Sequence, residues 1–202
     1  DYWNVKIDDS IVQITAQDIV DRDNGTDPRP IPAGLSVSRN PAGVITRVDA
    51  GYANEGTIDT DGIDISLTGT FPLANYGRLV SDLRWTHVLS YETGGFDFSG
   101  SIGQPEDRAM WVNSWSLGDF SAAWNINYIG RNEFQPNSAD ARSVGSYVTH
   151  DIQVGWNTPI KGGTLVLGIV NVGDKLPALV GFDNRDFNFN LYDAYGRTPY
   201  IR

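Results

Sequence analysis

Residues Phe120–Gly130 read FSAAWNINYIG. Phe120, Ala122, Trp124, Ile126 and Tyr128 occupy alternate positions, and Ser121, Ala123, Asn125 and Asn127 fill the gaps. A period of two is that of a β-strand, whose side chains leave by opposite faces in turn. The stretch is therefore a strand with one apolar and one polar face. Its apolar side touches either the core of a soluble sandwich or the hydrocarbon of a membrane, and the two neighbours imply different functions.

The same alternation recurs in both directions. DYWNVKID sets Trp3, Val5 and Ile7 against Lys6 and Asp8. GIDISLTGTF sets Ile63, Ile65, Leu67 and Phe71 against Asp64, Ser66, Thr68 and Thr70. RLVSDLRWTHVLSY sets Leu79, Leu83, Trp85, Leu89 and Tyr91 against Asp82, Arg84, Thr86 and Ser90. RAMWVNSWSL is a strand, and SYVTHDIQVGW sets Val148, Ile152, Val154 and Trp156 against Thr149, Asp151, Gln153 and Gly155. TLVLGIVN and TPYIR complete about eight strands. One helix is expected in TAQDIVDRDNG, capped by Thr15 with Asp18 closing a capping box and stopped at Gly25. The run PRPIPAGLSVSRNPAG reads as irregular. Short connections (PLANYG, Gly118-Asp119, TPIKGG) alternate with long ones along the whole chain. A meander that turns tightly at one edge and loosely at the other is how outer-membrane barrels are built. Greek-key sandwiches have no reason for that order.

Composition narrows the classes. Of 202 residues, 15 are basic and 25 acidic, a formal charge of -10. No basic stripe exists to neutralise phosphates, so no nucleic-acid partner is expected. Cysteine is absent, which excludes disulfides and thiolate metal sites. No apolar run is long enough for a transmembrane helix, but a barrel strand needs only about 9–11 alternating residues. Phe120 to Tyr128 spans about 26 Å, the height of a barrel's apolar band between its two aromatic girdles. On this reading Trp3, Phe71, Trp85, Tyr91, Trp111, Phe120, Trp124, Tyr128 and Trp156 face lipid or mark the girdles, with Phe71, Tyr91, Trp111 and Trp156 toward strand ends. Lys6, Asp64, Asp82, Arg84, Asn125, Asn127 and Asp151 face the lumen. Two other architectures stay open: a soluble β-sandwich carbohydrate-binding module with a tryptophan platform, and a self-contained porin-like barrel in which Asp1 pairs with TPYIR.

Catalytic and metal-binding chemistry finds little support. Asp21, Asp23 and Asp27, and again Asp59, Asp61 and Asp64, are spaced like calcium-loop carboxylates but lack the closing bidentate Glu. His87 and His150 fall on the apolar face by parity, as interfacial residues. No nucleophile elbow, zinc-binding helix motif or phosphate loop occurs. The expectation is no catalysis, no metal and no cofactor.

Five segments in order resemble the C-terminal part of the β-barrel of TonB-dependent outer-membrane receptors: DYWNVKIDDSI with TAQDIVD, VDAGYANEGTIDTDGIDISL, SLGDFSAAWNINYIGR, LGIVNVGDKLPAL and LYDAYGRTPYIR. Gly173 departs from the pattern, which carries a bulky residue there, and the paired cysteines common in a long loop of related receptors are missing. The resemblance implies an all-β, antiparallel up-and-down transmembrane β-barrel segment with short periplasmic turns and long extracellular loops. It makes residues 1–202 the C-terminal portion of a larger barrel, without its plug domain and N-terminal strands. It implies energised uptake of a siderophore, haem, cobalamin or oligosaccharide in the outer membrane of a Gram-negative bacterium. The implied partners are outer-membrane lipid, the plug domain and the TonB complex. Ligand contacts are expected from the long loops, through Phe96, Phe98, Asn132, Phe134, Asn184 and Asn188.

Overall fold

A computed structural model describes residues 1–134, 142–160, 162–179 and 187–202. The strands are β1 (Tyr2–Ile14), β2 (Ser36–Arg39), β3 (Ile45–Asp49), β4 (Gly51–Pro72), β5 (Arg78–Thr93), β6 (Phe96–Asp97), β7 (Asp107–Leu117), β8 (Phe120–Ile129), β9 (Asn132–Phe134), β10 (Arg142–Val144), β11 (Tyr147–Asn157), β12 (Thr164–Val170) and β13 (Thr198–Ile201). Helix α1 (Ala16–Asp23) follows β1, and a 3-10 turn (Ala74–Tyr76) joins β4 to β5. The principal sheet runs β1-β4-β5-β7-β8-β11-β12-β13, an up-and-down meander, with β6 added to β5. The eight strands of that order are those counted from the sequence. β1 and β13 stand at opposite ends of the order, so Asp1 does not pair with TPYIR and the sheet is not closed within this chain. The self-contained barrel is thereby corrected.

β7, β8 and β11 have 11, 10 and 11 residues, the length that spans an apolar bilayer core. Leu117 pairs with Phe120 across a two-residue turn, with Gly118 at φ 55°. Only glycine adopts that angle at no steric cost, as the first position of a type II′ hairpin requires. β4 is far longer, at 22 residues. Extended, it would measure about 73 Å, so much of it lies outside any membrane.

The chain divides into two compact units: residues 1–4, 60–91 and 97–202 form one, and residues 5–59 with 92–96 the other. The second contains α1, capped as expected. Thr15 Oγ1 accepts from the Asp18 amide at 3.2 Å, and Asp18 Oδ2 accepts from the Thr15 amide at 2.8 Å. Asn24 forms the C-cap, followed by Gly25 at φ 74°. SVSR, expected to be irregular, instead forms β2 against β3, because Ser36, Val37 and Ser38 find partners in Asp49, Val48 and Arg47. Ile14 and Ile19 are buried. So is Arg22, which makes a bidentate pair with Glu55 (3.0 and 2.7 Å) and donates to the Pro30 carbonyl at 2.8 Å. Each aspartate of DRDNGTD has a side-chain partner: Asp27 meets Arg29 at 2.7 Å, Asp23 meets Arg39 at 2.8 Å, and Asp21 accepts from Gln17 Nε2 at 2.7 Å.

A sandwich would hide its large apolar residues between two sheets. Here Phe120 is 57% exposed, Trp124 45% and Val154 55%, with no second sheet packed on them among the described residues. This overturns the carbohydrate-module alternative.

The Arg22 hydrogen bond holds Glu55 below the ordinary carboxylate range, and Arg29 brings Asp27 down to about 2. Both carboxyls bind protons more weakly folded than unfolded. Their contribution is therefore complete above about pH 5 and is lost as pH falls toward the folded values. Hydrogen exchange of α1 amides, corrected for intrinsic rates, is expected to accelerate between about pH 4.5 and 2.5, and Glu55→Gln to weaken that dependence. Constant protection over this range would contradict the ion-pair account.

Candidate functional site

Register decides which side chains share a face. Asn125 lies opposite Val112 and Asp151, and Asn127 opposite Met110 and Thr149. Asp82 stands across from Val112 and Arg84 across from Met110. Directly opposed residues of antiparallel strands project to the same side, so Asp82, Arg84, Asn125, Asn127 and Asp151 share one polar face. Asp64 joins them by accepting from Thr86 Oγ1 at 2.6 Å, and Thr68 Oγ1 donates to Asp82 at 2.7 Å. Arg84 Nε donates to Asp82 at 2.8 Å. Farther along, Tyr200 donates its hydroxyl to Gln153 at 2.7 Å.

The opposite face carries Leu83 against Trp111, Trp111 against Ile126, Trp124 against Ile152, and Trp156 against both Phe120 and Leu165. Tyr128 stands beside Val148 and Ala109, and Trp85 opposes Ala109. Phe71 and Tyr91 end this face on β4 and β5. Trp111 is not at a strand end as expected. It sits mid-strand, its ring 6.2 Å from that of Trp124, which in turn stacks 5.8 Å from His150. His87 stacks on Trp85, and both approach Asp107. Sequence reasoning passed over Trp115, which donates to the Tyr76 carbonyl at 2.6 Å, and Ser81 and Asn113 beside Trp111. Ser81 Oγ donates to Asn113 at 2.9 Å and accepts from the Trp111 indole at 2.7 Å. Parity alone could have placed these residues on the apolar face, though not named their partners.

One residue leaves its expected place. Asp1 and Asp64 exchange both backbone hydrogen bonds, at 2.7 and 2.8 Å, which sets Trp3 opposite Gly62. The indole occupies the space a Gly62 Cβ would fill, 2.4 Å from its ideal position. On this register Trp3 shares the parity of Asp1 and Asp64, not that of the apolar residues. Lys6 belongs to the other unit, with Nζ 3.9 Å from Asp8.

The long connections contain a packed rim. Val144, Tyr147 and Tyr192 are buried together, with Ile102, Ile129, Phe187 and Leu191 against them. Asn132, expected to meet ligand, is 1% exposed and donates to the Tyr192 hydroxyl at 2.8 Å, so its role is structural. Asn188 likewise accepts locally, from the Asn190 amide at 3.0 Å. Phe96 and Phe98 remain open to solvent. Asn184 and the Phe134 side chain lie outside the described residues. The Asn171–Lys175 box is a tight turn with Asn171 at φ 50°. The Asn171 side chain donates to the Lys175 carbonyl at 2.8 Å and accepts from its amide at 2.9 Å. Asp174 accepts from the Arg197 amide at 2.8 Å, in space that a Gly196 Cβ would enter at 2.5 Å. The box and the Gly196-Arg197 pair are therefore one docked structure.

A family model described as TonB dependent receptor-like, beta-barrel, matches residues 1–172. Two mutant forms of the ferric enterobactin receptor PfeA from Pseudomonas aeruginosa share the fold, at 16% and 15% identity and TM-scores of 0.63 and 0.62. Each comparison covers 99% of this chain and 27% of the receptor chain, so the chain spans about a quarter of those receptors. No curated protein matches it.

Asn171→Gly keeps the positive φ and removes the clamp. Hydrogen exchange at the Lys175 amide is expected to rise about ten-fold, the worth of about one hydrogen bond. An unchanged rate would show that the backbone holds the turn unaided.

Proposed function

The chain belongs to the TonB dependent receptor-like β-barrel family, and from that premise we propose that it is a wall segment of a receptor that imports a scarce solute across the outer membrane of a Gram-negative bacterium. The observation that carries the reading is the segregation of side chains across paired strands, with tight turns at one edge and long connections at the other. Phe71, Trp85, Tyr91, Trp111, Phe120, Trp124, Tyr128 and Trp156 meet lipid. Asp64, Asp82, Arg84, Asn125, Asn127 and Asp151 line the lumen, where they face the receptor's own plug domain. Energy arrives from the inner membrane through the TonB complex. The chain makes and breaks no covalent bond; it supplies the wall and part of the selecting rim. Ferric siderophores are the first solute class to test, since the structural neighbours are named as ferric enterobactin receptors; haem, cobalamin and oligosaccharides follow.

In the host, deletion of the complete gene is expected to abolish uptake of one of these solutes. The wild-type uptake should stop on addition of a protonophore. Uptake indifferent to both would overturn the reading. In brominated-lipid vesicles, Trp124→Phe and Trp156→Phe should each remove fluorescence that the lipid quenches, while Trp3→Phe removes fluorescence the lipid does not reach. Equal quenching of all three would overturn the assignment of faces.

A further inference from the structure

Asp151 is the one wall carboxylate seen to bond both the sheet and the rim among the described residues. One oxygen accepts from Asn127 Nδ2 of β8 at 3.1 Å, and the other from the backbone amide of Asn171, at the start of the clamped turn, at 2.8 Å. Asn171 is 3% exposed. The turn has a second tie to β11, from the Val172 amide to the His150 carbonyl at 2.8 Å. From Asn171 the contacts continue outward. Its side chain holds Lys175 at both backbone groups, and the Lys175 carbonyl also accepts from the Tyr147 hydroxyl at 3.0 Å. Tyr147 packs edge-on against Tyr192, with centroids 5.2 Å apart, and Tyr192 meets the buried Asn132 amide. Asn132 lies in the segment that crosses to the preceding connection, where Glu133 exchanges backbone hydrogen bonds with Gly100 and Ile102 at 2.7 and 2.9 Å. Parts of three long connections are thus joined into one body, and that body is tied to the wall at Asp151.

We propose that Asp151 is a positioning residue for solute capture: from the inner wall it holds the jointed rim in the geometry that receives the ligand. The proposal rests on the receptor reading for its functional half only. Two N–H donors arrive from two elements, and the carboxylate offers an acceptor oxygen to each. Leucine has the same branched shape and no acceptor, so Asp151→Leu breaks both links at nearly unchanged volume.

The test uses the full-length receptor carrying Asp151→Leu or Asp151→Ala, with Asp64→Asn as a wall control bonded to Thr86 and not to the rim. Hydrogen exchange is followed at peptides containing Asn132, Tyr147, Asn171 and Tyr192, and at β7 and β8 as an internal reference. Heat-modifiable gel mobility reports an assembled barrel. Exchange at all four rim peptides is expected to rise about ten-fold in both Asp151 variants, within the usual range of site-to-site coupling, with β7 and β8 unchanged. With ferric enterobactin as probe, the half-saturating concentration for uptake should rise by a similar factor while the maximal rate holds. Asp64→Asn should change neither. Faster exchange confined to the Asn171 peptide, or wild-type half-saturation in Asp151→Leu, would overturn the proposal. Should Asp151→Ala fail to assemble, Asp151→Leu decides. Should the wild type take up no ferric enterobactin, that solute assignment fails, and the exchange measurements still decide whether Asp151 holds the rim.

Discussion

Every assignment in this chain depends on antiparallel register. In a bilayer no water satisfies an exposed backbone amide, so each strand must complete its hydrogen bonds with its neighbours. Once Trp156 pairs with Phe120 and Asn157 with Thr164, the side on which each later residue stands follows by alternation. A slip of one residue would turn Asp151 outward and Ile152 inward. On the proposed receptor reading the apolar face is buried by lipid, and the sheet needs no second layer.

That arrangement explains the polar groups on the apolar face. Ser81 bridges the Asn113 Oδ1 and the Trp111 indole, and Trp85 and His87 both turn to Asp107. Hydrogen bonding among neighbours lowers the cost of placing polar atoms against hydrocarbon. The polar face follows a different economy, with carboxylates and amides paired across strands and Arg84 left largely open to water.

Outside the wall, stability has other sources. The unit built around α1 closes over Ile14, Ile19 and the buried Arg22, whose charge is met by Glu55. A buried arginine is tolerable only with such a partner. The rim relies on tyrosine rings and two buried asparagines, Asn132 and Asn171, whose side chains hold loop backbone at Gly130 and Lys175.

The sequence by itself determined the eight strands of the meander, most of their faces, the Gly118 hairpin and the capped helix, because alternation, turn residues and capping pairs act over a few positions of chain. It also carried the ordered motifs, though not their purpose: nothing local reveals that Asn171 clamps Lys175 or that Gly196 makes room for Asp174. Tertiary structure alone decided that Asn132 is interior, that Trp3 covers Gly62 on the polar side, that Trp111 meets Trp124 mid-strand and that Asp151 joins wall to rim. Each depends on a partner brought close by register or loop packing, Asn132 and Tyr192 lying 60 residues apart, and the alternation of one strand carries no record of its neighbour.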